Sequence, residues 1–178
     1  MELKESLNIA PRNPTWFRVS EEALFFMLIL EISGHHARKK LTRSICEWFY
    51  TKFLSEHNIT LEVNFRGLRR EGVWGWCVSD DDKIIPESFL IEIHNRMEVD
   101  DYVKVLMHEL VHVWQHARGD LIYKGQIALW KNIDYSDVDY ENQPWEKMAL
   151  KLEDELYTAY LYDDSYFNCE RIRMIMED

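Results

Sequence analysis

The sequence predicts an α+β fold, and three observations carry that prediction. Helical and strand-like periodicities fall in separate blocks: two helices, three strands, a helix, an irregular stretch and a last helix. That segregation differs from the βα alternation of a parallel α/β fold. The chain has 178 residues, 47% of them apolar and 13% aromatic, enough to pack one core of ordinary domain size. With six glycines, four prolines and no repeat or low-complexity tract, it reads as one domain over 1–178, its core spanning about 37–162.

The elements follow in order. Ser20-Glu21-Glu22 resembles a helix start before Ala23 to Ile32, with Gly34 as the break. Leu41, Ile45, Trp48, Phe49 and Phe53 recur at three- and four-residue spacing and predict a second helix ending near His57-Asn58. The period then changes. Ile59, Leu61, Val63 and Phe65 alternate with polar residues as a strand does. Val73 to Val78 and Phe89 to Ile93 are two more strand candidates, and the three together are expected to form a mostly antiparallel sheet. The acidic triplet Asp80-Asp81-Asp82 between them lacks the DxDxDG spacing of a calcium loop and reads as a turn. Val99 to Ala117 is a long helix closed by Arg118-Gly119, residues 119 to 143 carry no clear pattern, and Pro144 suits the first turn of a final helix. In that helix Trp145, Met148, Leu152, Leu156 and Ala159 share a face.

Net charge is −11, which repels phosphate backbones and anionic lipid; neither nucleic acid nor membrane is expected as a partner. The basic clusters His35 to Lys40 and Arg66 to Arg70 are short and read as solvated faces. The segment MELKESLNIAPRNP has no apolar core of the signal-peptide kind, and the longest apolar run, Ala23 to Leu30, is too short to span a bilayer. Cys46, Cys77 and Cys169 are widely spaced and odd in number, so reduced thiols in a cytoplasm are expected.

The chemistry is concentrated in LMHELVHVWQH, residues 106 to 116. At about 100° per residue, Val103, Leu106, Leu110, Val113, Trp114 and Ala117 cover one arc that faces the core. His108 and His112 project from the other side, one turn apart, so both imidazoles can reach one ion. Glu109 points aside from them, towards where a water on that ion would sit: the H-E-x-x-H arrangement.

A catalytic zinc takes three protein ligands and leaves a position open. The seven histidines stand at 35, 36, 57, 94, 108, 112 and 116, none downstream of the motif. His116 is about 12 Å along the helix axis from His108, too far to share its ion. The third ligand is therefore expected from an acid on the next helix, where Glu141, Glu146, Glu153, Asp154 and Glu155 are available. Glu146 leads, because Pro144 fixes its turn and small Ala149 lets the helices approach closely; its other reading is a first-turn acid complementing the helix dipole.

His108-Glu109-Leu110-Val111-His112 and the later Pro144-Trp145-Glu146-Lys147-Met148-Ala149 resemble the zincin metallopeptidases, in particular a small gluzincin-like or SprT-like protease domain. The resemblance covers about 37 to 160 and implies N-terminal helices, a sheet, the motif helix and a C-terminal helix carrying the third ligand. Gln115 and Arg118 stand where metzincins need glycine and histidine. No third histidine or zinc ribbon of the SprT-like kind follows, and Leu150 replaces the aspartate that larger gluzincins place four residues after their glutamate. Glu153 or Asp154 is left to orient a ligand histidine.

The resemblance implies Zn2+ on His108, His112 and Glu146, Glu109 as general base, and a peptide or protein substrate laid along an edge strand near Trp74-Gly75-Trp76-Cys77. It also implies a second oxyanion donor; Tyr157, eleven residues after Glu146 on the same face, is the candidate, with Tyr123, Tyr140 and Tyr160 as rivals. The alternative is a non-catalytic zinc-binding or interaction protein on the same scaffold, to which Glu109 would be of no use.

Overall fold

The computed structural model describes residues 26–34, 37–162 and 172. The helix start at Ser20, the histidine pair at 35 and 36, and Cys169 lie outside them. The elements are β1 (Leu28–Ser33), α1 (Lys39–Phe49) running on into a π-helical turn (Tyr50–Leu54), β2 (Ile59–Arg66), β3 (Gly75–Ser79), β4 (Ser88–His94) and α2 (Val99–Ala117), followed by β5 (Leu121–Lys124), β6 (Ile127–Trp130), β7 (Ile133–Asp134) and α3 (Pro144–Tyr162). The class is α+β. No helix among the described residues is long and apolar enough to cross a membrane.

Two expectations are corrected here. Within Ala23–Ile32 the described part is strand β1, not helix, and the main sheet has four strands in the order β1-β2-β4-β3. It is mostly parallel, since β1 and β4 both run with β2 and only β3 opposes its neighbour. An apolar-rich run such as FFMLILEI fits either period. Parallel pairing decides it: Leu28, Leu30 and Ile32 turn inward while Ile29 and Glu31 stay exposed. The α1 crossover between β1 and β2 supplies the long return that parallel strands require.

The third correction concerns 119–143, which is not patternless. It forms a second, antiparallel three-stranded meander, β5-β6-β7. Strands of four, four and two residues are too short to show alternation. Leu121, Ala128 and Trp130 close a small core of their own on Trp145 at the start of α3. The ring of Trp145 is met by those of Tyr123, Trp130 and Tyr135 at centroid distances of 6.3 to 6.4 Å.

The main core joins Ile59, Leu61, Val63 and Phe65 of β2 and Phe89, Ile91 and Ile93 of β4 to the apolar faces of all three helices. Val103, Leu106, Leu110, Val113, Trp114 and Ala117 of α2 are all buried. Thr42 of α1 and Tyr102 of α2 share a buried hydroxyl–hydroxyl hydrogen bond of 2.7 Å. Helix α2 has Asp100 and Asp101 in its first turn, which suits the positive helix end, and Gly119 at φ 73° turns the chain away after its last. The acidic turn before β4 is a closed structural unit, in which the Asp81 carboxylate accepts the backbone N–H groups of Lys83, Glu87 and Ser88.

Candidate metal centre

Helices α2 and α3 lie antiparallel, as three contacts at successive heights show. Gln115 reaches the Trp145 carbonyl, His108 meets Glu153, and Lys104 pairs with Asp154 at 2.6 Å. This places the first turn of α3 against the last two turns of α2. His108, His112 and Glu146 come together there, each offering one ligand atom, all within 4.8 Å of one another.

The finer geometry suits a small cation. The two Nε2 atoms are 3.2 Å apart, His108 Nε2 is 3.3 Å from Glu146 Oε2, and His112 Nε2 is 3.4 Å from Glu146 Oε1. An ion bonded at about 2.0–2.1 Å in tetrahedral geometry requires ligand atoms about 3.3–3.4 Å apart. Each separation is close to that value, with the Glu146 carboxylate meeting the two imidazoles through different oxygens, so the group has the size to take an ion.

Both imidazoles are oriented from behind. The Gln115 amide donates to the Trp145 carbonyl at 3.0 Å, which turns its oxygen to His112 Nδ1, 2.9 Å away. That oxygen can only accept, so Nδ1 carries the hydrogen and Nε2 keeps its lone pair for the centre. Glu153 does the same for His108, with Oε2 3.3 Å from Nδ1. Of the two acids left open for this role the structure takes Glu153, and Asp154 is spent on Lys104. Gln115 was not anticipated, although its place three residues after His112, on the same side of the helix, is a readable signal.

Electrostatics bind the group together. Burial works against ionised Glu146, yet hydrogen bonds from His108, His112 and Tyr140 hold its carboxyl well below the ordinary range. Burial likewise works against charged His108, but its bonds to Glu146 and Glu153 carry it up to about 9. Glu109 is 5% exposed, and burial pushes its carboxyl up to about 7 against the opposing pull of His112 and His108.

Glu109 leans on the edge strand. A Cβ added to Gly75 of β3 would lie 2.8 Å from Glu109 Oε1 and 2.8 Å from Val105 Cγ1, so any side chain there would have to push both aside. Strand β3 is the sheet edge beside the centre, as the resemblance implied. His94 N–H donates to the Trp74 carbonyl and Asp80 N–H to the Ser88 carbonyl, each at 2.8 Å. The even-numbered residues of β3 therefore bond β4, and the backbone groups of Gly75, Cys77 and Ser79 face outward.

Tyr157 is not brought to the centre. Its hydroxyl is turned to Asp100, about two turns of α2 from His108, and Lys104 Nζ sits 5.5 Å from its ring. The antiparallel helices explain this, since each turn of α3 after Glu146 moves away from His112. The tyrosine at the centre is Tyr140, whose hydroxyl donates to Glu146 Oε2 at 2.7 Å. It precedes α3 on a 3-10 turn (Tyr140–Asn142), where no helical spacing could have pointed to it. Tyr160 bonds Ser44 instead. His116 stays outside the group, packed on Phe89 and Tyr123, and burial lowers its pKa to about 4.

Comparison of the chain with protein-family models, with curated proteins and with solved structures finds no match.

Proposed function

We propose that this chain is a zinc-dependent metallopeptidase of the zincin kind, small and cytoplasmic, with His108, His112 and Glu146 as the metal ligands and Glu109 as general base. The observation that carries this reading is the convergence of His108, His112 and Glu146, whose ligand atoms all lie within 4.8 Å of one another, with the buried Glu109 carboxyl one residue from a ligand. Among the described residues the group consists of three side chains, whereas a structural zinc site is closed by four. That favours a catalytic centre over the non-catalytic scaffold. Zinc is the metal such a set of two imidazoles and one carboxylate suits, and it supplies Lewis acidity that acidifies a water towards neutrality.

The chain's own residues do the rest. Glu109 takes the proton of the water that attacks the peptide carbonyl, and returns it to the amine as the C–N bond breaks. Burial raises its basicity towards neutral pH, which suits both halves of that transfer. The outward backbone groups of Gly75 and Cys77 pair with an extended substrate, as an added strand would. Tyr140 has its hydroxyl at the centre through Glu146 and is the candidate second donor to the developing oxyanion, the role first considered for Tyr157. Cys46 and Cys77 are both free thiols, in keeping with a reducing compartment.

The test is metal per chain by elemental mass spectrometry, with hydrolysis of a mixed peptide library measured alongside, for wild type, Glu146→Ala and Glu109→Gln. The expected pattern is one zinc and cleavage in the wild type, loss of both in Glu146→Ala, and zinc without cleavage in Glu109→Gln. A folded wild type that refuses zinc sinks the reading, as does a Glu109→Gln variant that cleaves at the wild-type rate.

A further inference from the structure

Between the loop after β2 and the end of β4 the chain builds a basin of about 470 Å³ lined by Arg69, Arg70, His94 and Arg96, with Gly67, Glu71 and Asn95. Three features of it are unusual in a protein of net charge −11. None of Arg69, Arg70 and Arg96 enters an ion pair among the described residues. The one acid in the lining, Glu71, is already held by Arg66 at 2.8 Å. The third feature is the state of His94.

His94 ends β4 and is 4% exposed. The backbone N–H of Leu68 donates to its Nδ1 at 3.0 Å, so Nδ1 must carry a lone pair and Nε2 must carry hydrogen. That Nε2–H is buried and has no hydrogen-bond partner among the described residues. The Trp74 ring lies over the imidazole at 5.4 Å, tilted by 57°, and offers no lone pair. Orphaned buried donors are rare, and each one asks what it is waiting to meet.

The loop carrying the arginines is fixed in place. Leu68 is fully buried, its carbonyl accepts the Glu71 N–H in a tight turn, and Asn95 N–H donates to the Arg66 carbonyl, joining the two sides of the basin. A basin with three arginines free of ion pairs among the described residues and one buried, unmatched N–H is the complement of an oxygen anion.

We propose that this basin is an oxyanion-binding site, taking a phosphate or carboxylate group on His94 Nε2–H and the guanidinium groups of Arg69, Arg70 and Arg96. It is separate from the metal centre and stands or falls independently of the peptidase reading. The two are nonetheless neighbours, because Arg96 also lines a cleft of about 750 Å³ with Trp74, Val105 and Glu153, the last of which orients His108. An anionic group on a chain bound along β3 would be within reach of both.

The test is side-chain nitrogen NMR of the full-length protein labelled at histidine, titrated with inorganic phosphate and separately with acetate, each at an ionic strength matched with chloride. The expected result is a saturable shift of the His94 Nε2–H resonance with at least one of the two anions, weakened about tenfold in Arg96→Gln, an exposed position whose change leaves the fold intact. Saturation with phosphate alone identifies a phosphate site, and saturation with acetate a carboxylate site. A resonance that follows neither anion beyond the chloride control overturns the proposal, and so does a response equal in wild type and Arg96→Gln. Zinc content and cleavage play no part in this readout, so its failure leaves the metal centre untouched.

Discussion

At the scale of single residues, the hydrogens on the imidazoles of His108 and His112 are set by groups outside the proposed ligand set. Gln115 is fully buried, and its amide has one job on each end, the Trp145 carbonyl and His112 Nδ1. Gln115→Met keeps its length but removes both bonds, and zinc affinity measured by competition with a chromophoric chelator should fall about 10–100-fold. Glu109→Gln should lower the hydrolytic rate by about 10²–10⁴ while zinc content holds. Protons at the centre give a third prediction. His108, raised to about 9 by Glu146 and Glu153 against burial, holds a proton at neutral pH in metal-stripped protein. Zinc must displace that proton, so calorimetric titration near neutral pH in buffers of different ionisation enthalpy should report about one released. The same shift sets a stability trend. The His108 contribution is complete below its ordinary value of 6.5 and fades as pH rises through about 9, while that of Glu146 is complete above its ordinary 4.5 and fades on acidification. Stripped protein should therefore melt at lower temperature at the alkaline end of a pH series, and a flat curve would count against the pairing.

At the scale of elements, the edge strand and the small sheet each have a testable part. Gly75→Ala would drive a methyl into Glu109 and Val105, so we expect a loss of about 1–3 kcal/mol in a denaturant melt and a displaced general base. The β5-β6-β7 sheet braces the first turn of α3 through Trp145, one residue before Glu146. Trp130→Ala should cost about 3–5 kcal/mol and loosen zinc as well, although Trp130 is no ligand. Legibility in the sequence divides along the same lines. Helix α2 was readable to the residue because nineteen positions of strong amphipathic pattern end in a glycine that only a helix stop explains. Strand β1 was misread because six apolar-rich residues satisfy both periods, and only the partner strand, distant in sequence, chooses between them. The small sheet escaped because its hydrophobic residues, Leu121, Ala128 and Trp130, bury themselves on Trp145 rather than in the main core. Among site residues, the H-E-x-x-H trio and Glu146 rested on helix geometry, which the sequence states. Tyr140 depends on the path of a loop, and Tyr157 misled because a helical wheel reports angle and says nothing of height along the axis.

At the scale of the whole molecule, the proposed metal ligands span the two longest helices among the described residues. His112 and Glu146 are thirty-four residues apart in sequence, and the stretch between them contains the entire small sheet. An ion held by both helices would close that stretch into a ring and remove freedom from every partly opened state in which α3 swings off α2. Strand β1 lies outside the ring, and among the described residues its main contacts are with β2 and α1. Zinc should thus slow amide hydrogen exchange throughout α3 and β5 to β7 and leave β1 almost unchanged. The centre would then act as a clasp as well as a reagent, and metal supply would govern how long this half of the molecule survives a protease.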